Sequence, residues 1–231
     1  IFGSRGLGDV YKRQINNASK KCSEKYGIHF GLILCTLRHF DEMQSMETVR
    51  LVEKFKNSGV FALDIAADEA GHSLDNHISA FNYANDCNIK STAHAGEAKG
   101  PESIRETLKR LKVKRVGHGV RCVEDKDLMK HLSNKDIHLE ICLTSNIKTA
   151  TFKSITLHPV DEIFKSNISI SLSTDGRTIS NIDLTSEYEL VMNKFGWDIN
   201  DIKKTNLDAI SHSFTTAEIK KELTKKINSS Y

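Results

Sequence analysis

Apolar residues recur along the chain in short blocks separated by stretches of helical spacing. Residues 28–37 carry few charges, the pattern of a strand buried on both faces, and similar blocks follow at 59–67, 89–94, 113–118, 137–143 and 168–174. Between the first two, Met46, Val49, Val52 and Phe55 share a helical face behind a Ser45 cap, with Asn57-Ser58-Gly59 as the stop. Leu74, Ile78 and Phe81 mark the next helix. Pro101 suits the first position of another, whose Ile104, Leu108 and Leu111 turn inward. Leu128 with Leu132, then Ile163 with Phe164, mark two shorter helices. The chain after the last block reads as helical, and Thr215 with Glu218 forms a capping box for its final segment.

About six strand–helix units at roughly 25–30 residue intervals, without an internal repeat, predict a parallel α/β fold. A nucleotide-binding open sheet carries a glycine-rich turn after its first strand, and none follows residues 28–37. The fold expected is therefore a (β/α)8 TIM-type barrel, incomplete here, with its first two strands missing. Residues 1–14 have no periodicity that continues into residue 15 and beyond, and no apolar stretch of the kind a signal peptide needs. Gly3, Gly6 and Gly8 follow no strand and lack the G-x-G-x-x-G spacing of a phosphate loop. The stretch resembles translated sequencing-adapter sequence. It is expected to be non-native, with barrel sequence occupying 15–231.

Composition narrows the class. With 33 basic and 30 acidic residues among 231, the net charge of +3 is too balanced to imply nucleic acid or an anionic membrane. The longest apolar run, 30–35, is far short of the ~20 residues a membrane span needs. The cluster Lys109, Arg110, Lys112, Lys114 and Arg115 reads as a solvated, cationic helix end. Cys22, Cys35, Cys87, Cys122 and Cys142 are odd in number and widely spaced, which disfavours a disulfide framework or a cysteine zinc knuckle and points to a reducing cytosol.

Reactive side chains gather where the apolar blocks end: Arg38-His39, Asp64 with Asp68-Glu69, His94 with Glu97, His118, Ser145-Asn146, and Asp175. In a barrel the carboxyl ends of the strands meet at one mouth, so these groups would share a cavity. His94 and Asp175 offer nitrogen and oxygen donors suited to zinc, Glu97 could pass a proton to a ring nitrogen, and His118 adds a second imidazole. His29, His72, His77, His131, His138 and His212 read as structural or surface residues.

The motifs S-T-A-H-A-G-E (91–97), R-V-G-H-G-V-R (115–121), L-E-I-C-L-T-S-N (139–146), H-P (158–159) and S-L-S-T-D (171–175) resemble the adenosine deaminase family in order and spacing. I-L-C-T-L-R-H (33–39) and A-L-D-I-A-A-D-E (62–69) are similar to its third and fourth barrel strands. The resemblance implies one zinc ion at the carboxyl ends of the strands, with His94 and Asp175 as ligands. Two further histidine ligands are expected from missing amino-terminal sequence. It also implies Glu97 as the donor of a proton to purine N1, and His118 as the residue that positions the hydroxide attacking C6. Asp64, Ala67 and Gly176 would contact the purine nucleoside, a small-molecule partner; no nucleic-acid or membrane partner is expected.

Three departures stand out. The family's H-x-H is absent, Gly176 stands where a second Asp usually meets N7, and Ala67 replaces a glycine whose N–H approaches N3. The chain as given is therefore expected to be inactive or nearly so, while its full-length parent deaminates adenosine. Other aminopurines, such as adenine or a modified adenosine nucleotide, are the alternative substrates; a non-catalytic barrel-derived binding protein is the alternative class. A cytidine-type deaminase would need H-x-E and P-C-x-x-C, and the chain has neither in that arrangement.

Overall fold

The computed structural model describes residues 7–56 and 58–230. After a first helix, α1 (Leu7–Tyr26), strand and helix alternate as β1 (Leu32–Leu37), α2 (Glu42–Phe55), β2 (Val60–Ala66), α3 (Ile78–Asp86), β3 (Lys90–Ser91) and β4 (Ala93–Ala95). They continue as α4 (Pro101–Leu111), β5 (Arg115–His118), α5 (Lys126–Asn134), β6 (His138–Ile141), α6 (Leu143–Lys148), α7 (Val160–Lys165) and β7 (Ser169–Leu172). Four helices close the chain: α8 (Arg177–Ser180), α9 (Leu184–Phe195), α10 (Ile199–His212) and α11 (Ala217–Ser230).

Every strand pair is parallel. Ladders run in the order β1-β2-β3 and β4-β5-β6-β7. Thr92 alone separates β3 from β4, and its N–H donates to the Leu63 carbonyl at 3.0 Å. The strands therefore neighbour one another in chain order, with no reversal. That is the arc of a barrel; a doubly wound sheet would switch direction at its first strand.

Helices pack on one face of this arc. Val49 and Val52 of α2, Phe81 of α3, Ile104 and Leu111 of α4, Leu128 and Leu132 of α5, and Ile163 of α7 are fully buried with Leu63, Ile65, Val116, Leu139, Ile141 and Ile170 of the strands. Each such side chain contributes about 1.5–3 kcal/mol of burial. Along β4–β7 the opposite face is polar. The register His94–Gly117–Glu140–Ser171 forms one row and Arg115–His138–Ser169 the row below it.

Arg115 is not on the solvated cationic end expected of it. It is half-buried, donates to Glu140 from Nε at 2.6 Å, and lies over the Phe214 ring at 4.0 Å. His212 at the end of α10 stacks on His138 at 4.6 Å. The turn from α10 to α11 thus covers this face near the amino ends of the strands. A cavity of about 380 Å³ there is lined by Gly31, Ile33, Phe61, Ile210, Phe214 and Ile219, among others.

Several local expectations shift. The first block becomes a strand only from Leu32, and the third splits at Thr92 into β3 and β4. Helix α2 is capped by Asp41 in a capping box with Gln44, because an aspartate three residues before a glutamine satisfies both free N–H groups. Ser45 is instead buried within α2, between Thr36 Oγ1 at 2.8 Å and His77 Nδ1 at 2.5 Å. At α11 the hydroxyl that accepts from the Ile219 N–H is Thr216, one residue beyond the one expected. Helix α1 runs unbroken through Ile15; residues 1–6 lie outside the described set.

Candidate active site

The loops after β2, β4, β5, β6 and β7 bring most of the sequence-predicted residues into one cluster at the carboxyl ends of the strands. His94 on β4 sits with Nδ1 3.1 Å from Asp64 Oδ2 on β2. Gly117 makes room for that ring: a Cβ there would lie 2.9 Å from His94 Cγ. The His94 and His118 rings meet edge to face at 5.3 Å. His118 Nε2 lies 3.4 Å from Glu97 Oε2. Asp175 accepts from Ser145 Oγ at 2.7 Å, and its negative charge reaches both His94 and His118.

Three of the nine non-glycine residues with positive φ among the described residues are sequence-predicted site residues. Ala67, His118 and Asp175 adopt left-handed φ values of 79°, 61° and 53°, conformations a side chain makes costly and which gather at functional sites. Ala67 and Gly176 enter by chain adjacency, on the loops after β2 and β7, Ala67 being exposed. Gly176 has ordinary room for a side chain, since a Cβ would meet only Ile179 at 3.7 Å. A polar cleft of about 460 Å³ opens beside it, lined by Arg177, Thr178, Asn181, Ile182, Asp183 and Ser186.

The electrostatics differ from group to group. Burial would lower the His94 pKa, but the surrounding carboxylates, Asp64 foremost with Glu140 and Asp175, outweigh it and raise the ring to about 9. Burial pushes His118 down, against the opposing pull of Glu97. For zinc, the donor types are right: Asp64 takes His94 Nδ1 and Ser145 takes Asp175 Oδ2, which leaves His94 Nε2 and Asp175 Oδ1 free to coordinate. Among the described residues, however, no group of three or more His, Cys, Asp or Glu side chains is placed to hold a metal ion. A catalytic zinc takes three protein ligands or more, so these residues fit in kind and supply only part of a set.

Four supporting residues had no role assigned from sequence. Glu69, buried behind the loop after β4, accepts from the N–H groups of Gly96 (2.6 Å), Glu97 (3.1 Å), Ala98 (2.7 Å) and Lys99 (3.0 Å), and from Ser103 Oγ (2.5 Å). Burial alone would raise its pKa, but these donors win and hold it below the usual carboxylate range. Arg38 donates from its guanidinium to the His94 carbonyl at 2.8 Å. Asn146, fully buried on α6, touches Glu97, His118 and His158. Glu187 of α9 accepts from the backbone and hydroxyl of Thr144, and burial raises its pKa. Arg38, Glu69 and Asn146 lie within the motifs 33–39, 62–69 and 139–146 and so carried a signal. Glu187 lies in the first turn of α9, where an acidic residue reads simply as favouring the helix start, so it carried none.

The adenosine deaminase family model matches residues 5–230. An adenosine deaminase from Clostridium acetobutylicum is 37% identical over 204 residues, covering 88% of this chain and 61% of that protein. The N6-methyl-AMP deaminase of Arabidopsis thaliana superposes with a TM-score of 0.79 at 28% identity, over 86% of this chain and 58% of its own. An amidohydrolase from Burkhoderia ambifaria, solved with bound Zn, gives 0.85 at 21% identity, over 91% and 59%. The chain thus spans about three fifths of the length of the curated relative.

Proposed function

The chain belongs to the adenosine deaminase family, and from that membership we propose that it forms the larger part of a zinc-dependent enzyme that hydrolyses adenosine, and deoxyadenosine, to inosine and ammonia. The observation that carries this reading is the approach of Glu97 to His118, 3.4 Å apart, with the His94 ring 5.3 Å away across His118. An acid, an imidazole and a metal donor from the ends of two neighbouring strands, β4 and β5, then converge where a purine ring could be attacked.

In this reading Glu97 carries the proton that goes to purine N1. Its Oε1 accepts from Asn146 Nδ2 at 2.9 Å and Thr149 Oγ1 at 3.0 Å, so the transferable proton belongs on Oε2. Protonating N1 draws electrons from C6 and readies it for attack by water; ammonia leaves and the ring keeps the oxygen. His118 orients the attacking oxygen. Ala67 and Gly176 border the base through their backbone, and Asp64 holds the His94 ring rather than the purine.

Zinc would be held from His94 Nε2 and Asp175 Oδ1, with two further imidazoles expected from sequence outside this chain; when bound, it supplies water acidified toward about pH 7. We place the protein in a reducing cytosol, in keeping with its five free cysteines. Among the described residues no helix is long and apolar enough to cross a membrane.

A second reading is supported by Arg177, a cation on the polar cleft beside Gly176: a modified adenosine nucleotide whose phosphate meets that guanidinium. Offering adenosine, deoxyadenosine, adenine and N6-methyl-AMP to the full-length parent, and following ultraviolet absorbance, separates the two. Preference for the nucleosides is expected. Turnover of the nucleotide alone would overturn the first reading in favour of the second.

A further inference from the structure

The hydrogen bonds around Asn146 have a direction, and it can be read from one end. The N–H of Val160, at the start of α7, donates to His158 Nδ1 at 3.2 Å. A backbone N–H cannot accept, so His158 Nδ1 must be bare and a neutral His158 carries its hydrogen on Nε2. Burial and the neighbouring His118 lower the His158 pKa to about 4, which keeps the ring neutral near pH 7. His158 Nε2 therefore donates to Asn146 Oδ1, 3.2 Å away.

That contact fixes the amide. With Oδ1 turned to His158, Nδ2 faces the cluster and donates twice, to Glu97 Oε1 at 2.9 Å and to His118 Nδ1 at 3.2 Å. The flipped amide would set Oδ1 against the Glu97 carboxylate and Nδ2 against a donating His158, so both ends select one orientation. His118 Nδ1 accepts, which leaves its hydrogen on Nε2, the atom that faces Glu97 Oε2. His158, Asn146 and His118 are all buried, at 3%, 0% and 2% exposure, so water has little access to replace any link.

We propose that Asn146 and His158 are positioning residues: a one-way hydrogen-bond relay from the backbone of Val160 through His158 and Asn146 fixes His118 in its Nε2–H tautomer and, together with Thr149, saturates Glu97 Oε1. Neither residue needs to touch substrate. His118 Nε2, which then carries the hydrogen, lies 3.4 Å from the oxygen of Glu97 that would carry the transferable proton, so the relay sets which atoms of the pair meet the purine. The catalytic consequence rests on the deaminase reading; the tautomer does not.

Nitrogen-15 histidine NMR on the 231-residue chain near pH 7 tests it directly, because the two neutral tautomers have distinct long-range correlation patterns. His118 and His158 are both expected as Nε2–H. In Asn146→Asp the side chain can only accept, so His118 should move to Nδ1–H or become doubly protonated while His158 keeps its pattern. In His158→Gln, whose amide still donates to Asn146, His118 should stay as it is. An Nδ1–H His118 in the unaltered chain overturns the proposal even if the Asp variant fails to fold. So does Nε2–H persisting in a folded Asp variant. In the parent, Asn146→Asp is expected to lower kcat about 100-fold with KM within about twofold, and His158→Gln to retain most activity. If the tautomers are as described and no purine is turned over, the deaminase reading fails and the relay stands.

Discussion

Glu69 offers the sharpest test of how the site is held. Its carboxylate accepts five hydrogen bonds, four from consecutive backbone N–H groups of 96–99 and one from Ser103. Bonds to a charged acceptor are each worth about 1.5–3 kcal/mol, and the cost of burying the carboxylate offsets much of their sum. Glu69→Ala leaves those donors without a partner at a position only 6% exposed. A net loss of about 3–5 kcal/mol is expected, the range seen when a buried charge network is broken. At roughly 2–4 °C per kcal/mol for a chain of this size, Tm should fall by about 6–20 °C.

Native-state hydrogen exchange localises the effect. The amides of Gly96, Glu97, Ala98 and Lys99 should be protected in the parent chain and exchange rapidly in the variant. The sign of the pH dependence follows from the lowered pKa: the Glu69 contribution is fully present above the ordinary carboxylate pKa and is lost as pH falls through the folded value. A variant within about 1 kcal/mol of the parent, with those amides still protected, would refute the claim that Glu69 holds this loop.

Three further outcomes follow from other contacts. Ala67→Gly should stabilise the chain by about 0.5–1 kcal/mol in chemical denaturation, since glycine relieves a φ of 79° at some entropic cost; destabilisation would mean the strain is not there. Burial lowers the His138 pKa to about 2, so its contribution is whole above the unfolded value of ~6.5 and should shrink by about 2 kcal/mol by pH 5. His138→Asn should remove that part of the acid slope, and an unchanged slope would contradict it. Gly117→Ala places a methyl 2.9 Å from His94 Cγ and should cost about 1–3 kcal/mol in unfolding measurements, whereas no cost would show the ring free to move aside.

Much of the architecture was legible because it rests on periodicity. Doubly buried parallel strands are continuous apolar blocks, and Pro101 marks the start of its helix. The misreadings came where tertiary contacts override local pattern. Ser45 looks like a cap but satisfies Thr36 and His77 inside the fold. Arg115 looks like surface charge, yet Glu140 and Phe214 claim it from far along the chain. At the site, His94, Glu97, His118 and Asp175 were visible because each sits at or just after the end of a strand. Glu187 was not, since a carboxylate in the first turn of a helix looks the same in sequence whether it meets solvent or Thr144. The relay through Asn146 and His158 was likewise out of reach, because its direction depends on one backbone N–H in space.

Turnover of adenosine by the full-length parent and by its Glu97→Gln variant, with zinc content measured on both, tests the central claim most directly. The amide keeps the size of the side chain and removes the proton that Oε2 would deliver. The account predicts a rate lower by about 10²–10⁴-fold with zinc content unchanged. A variant that retains zinc and turns adenosine over near the parental rate would contradict it.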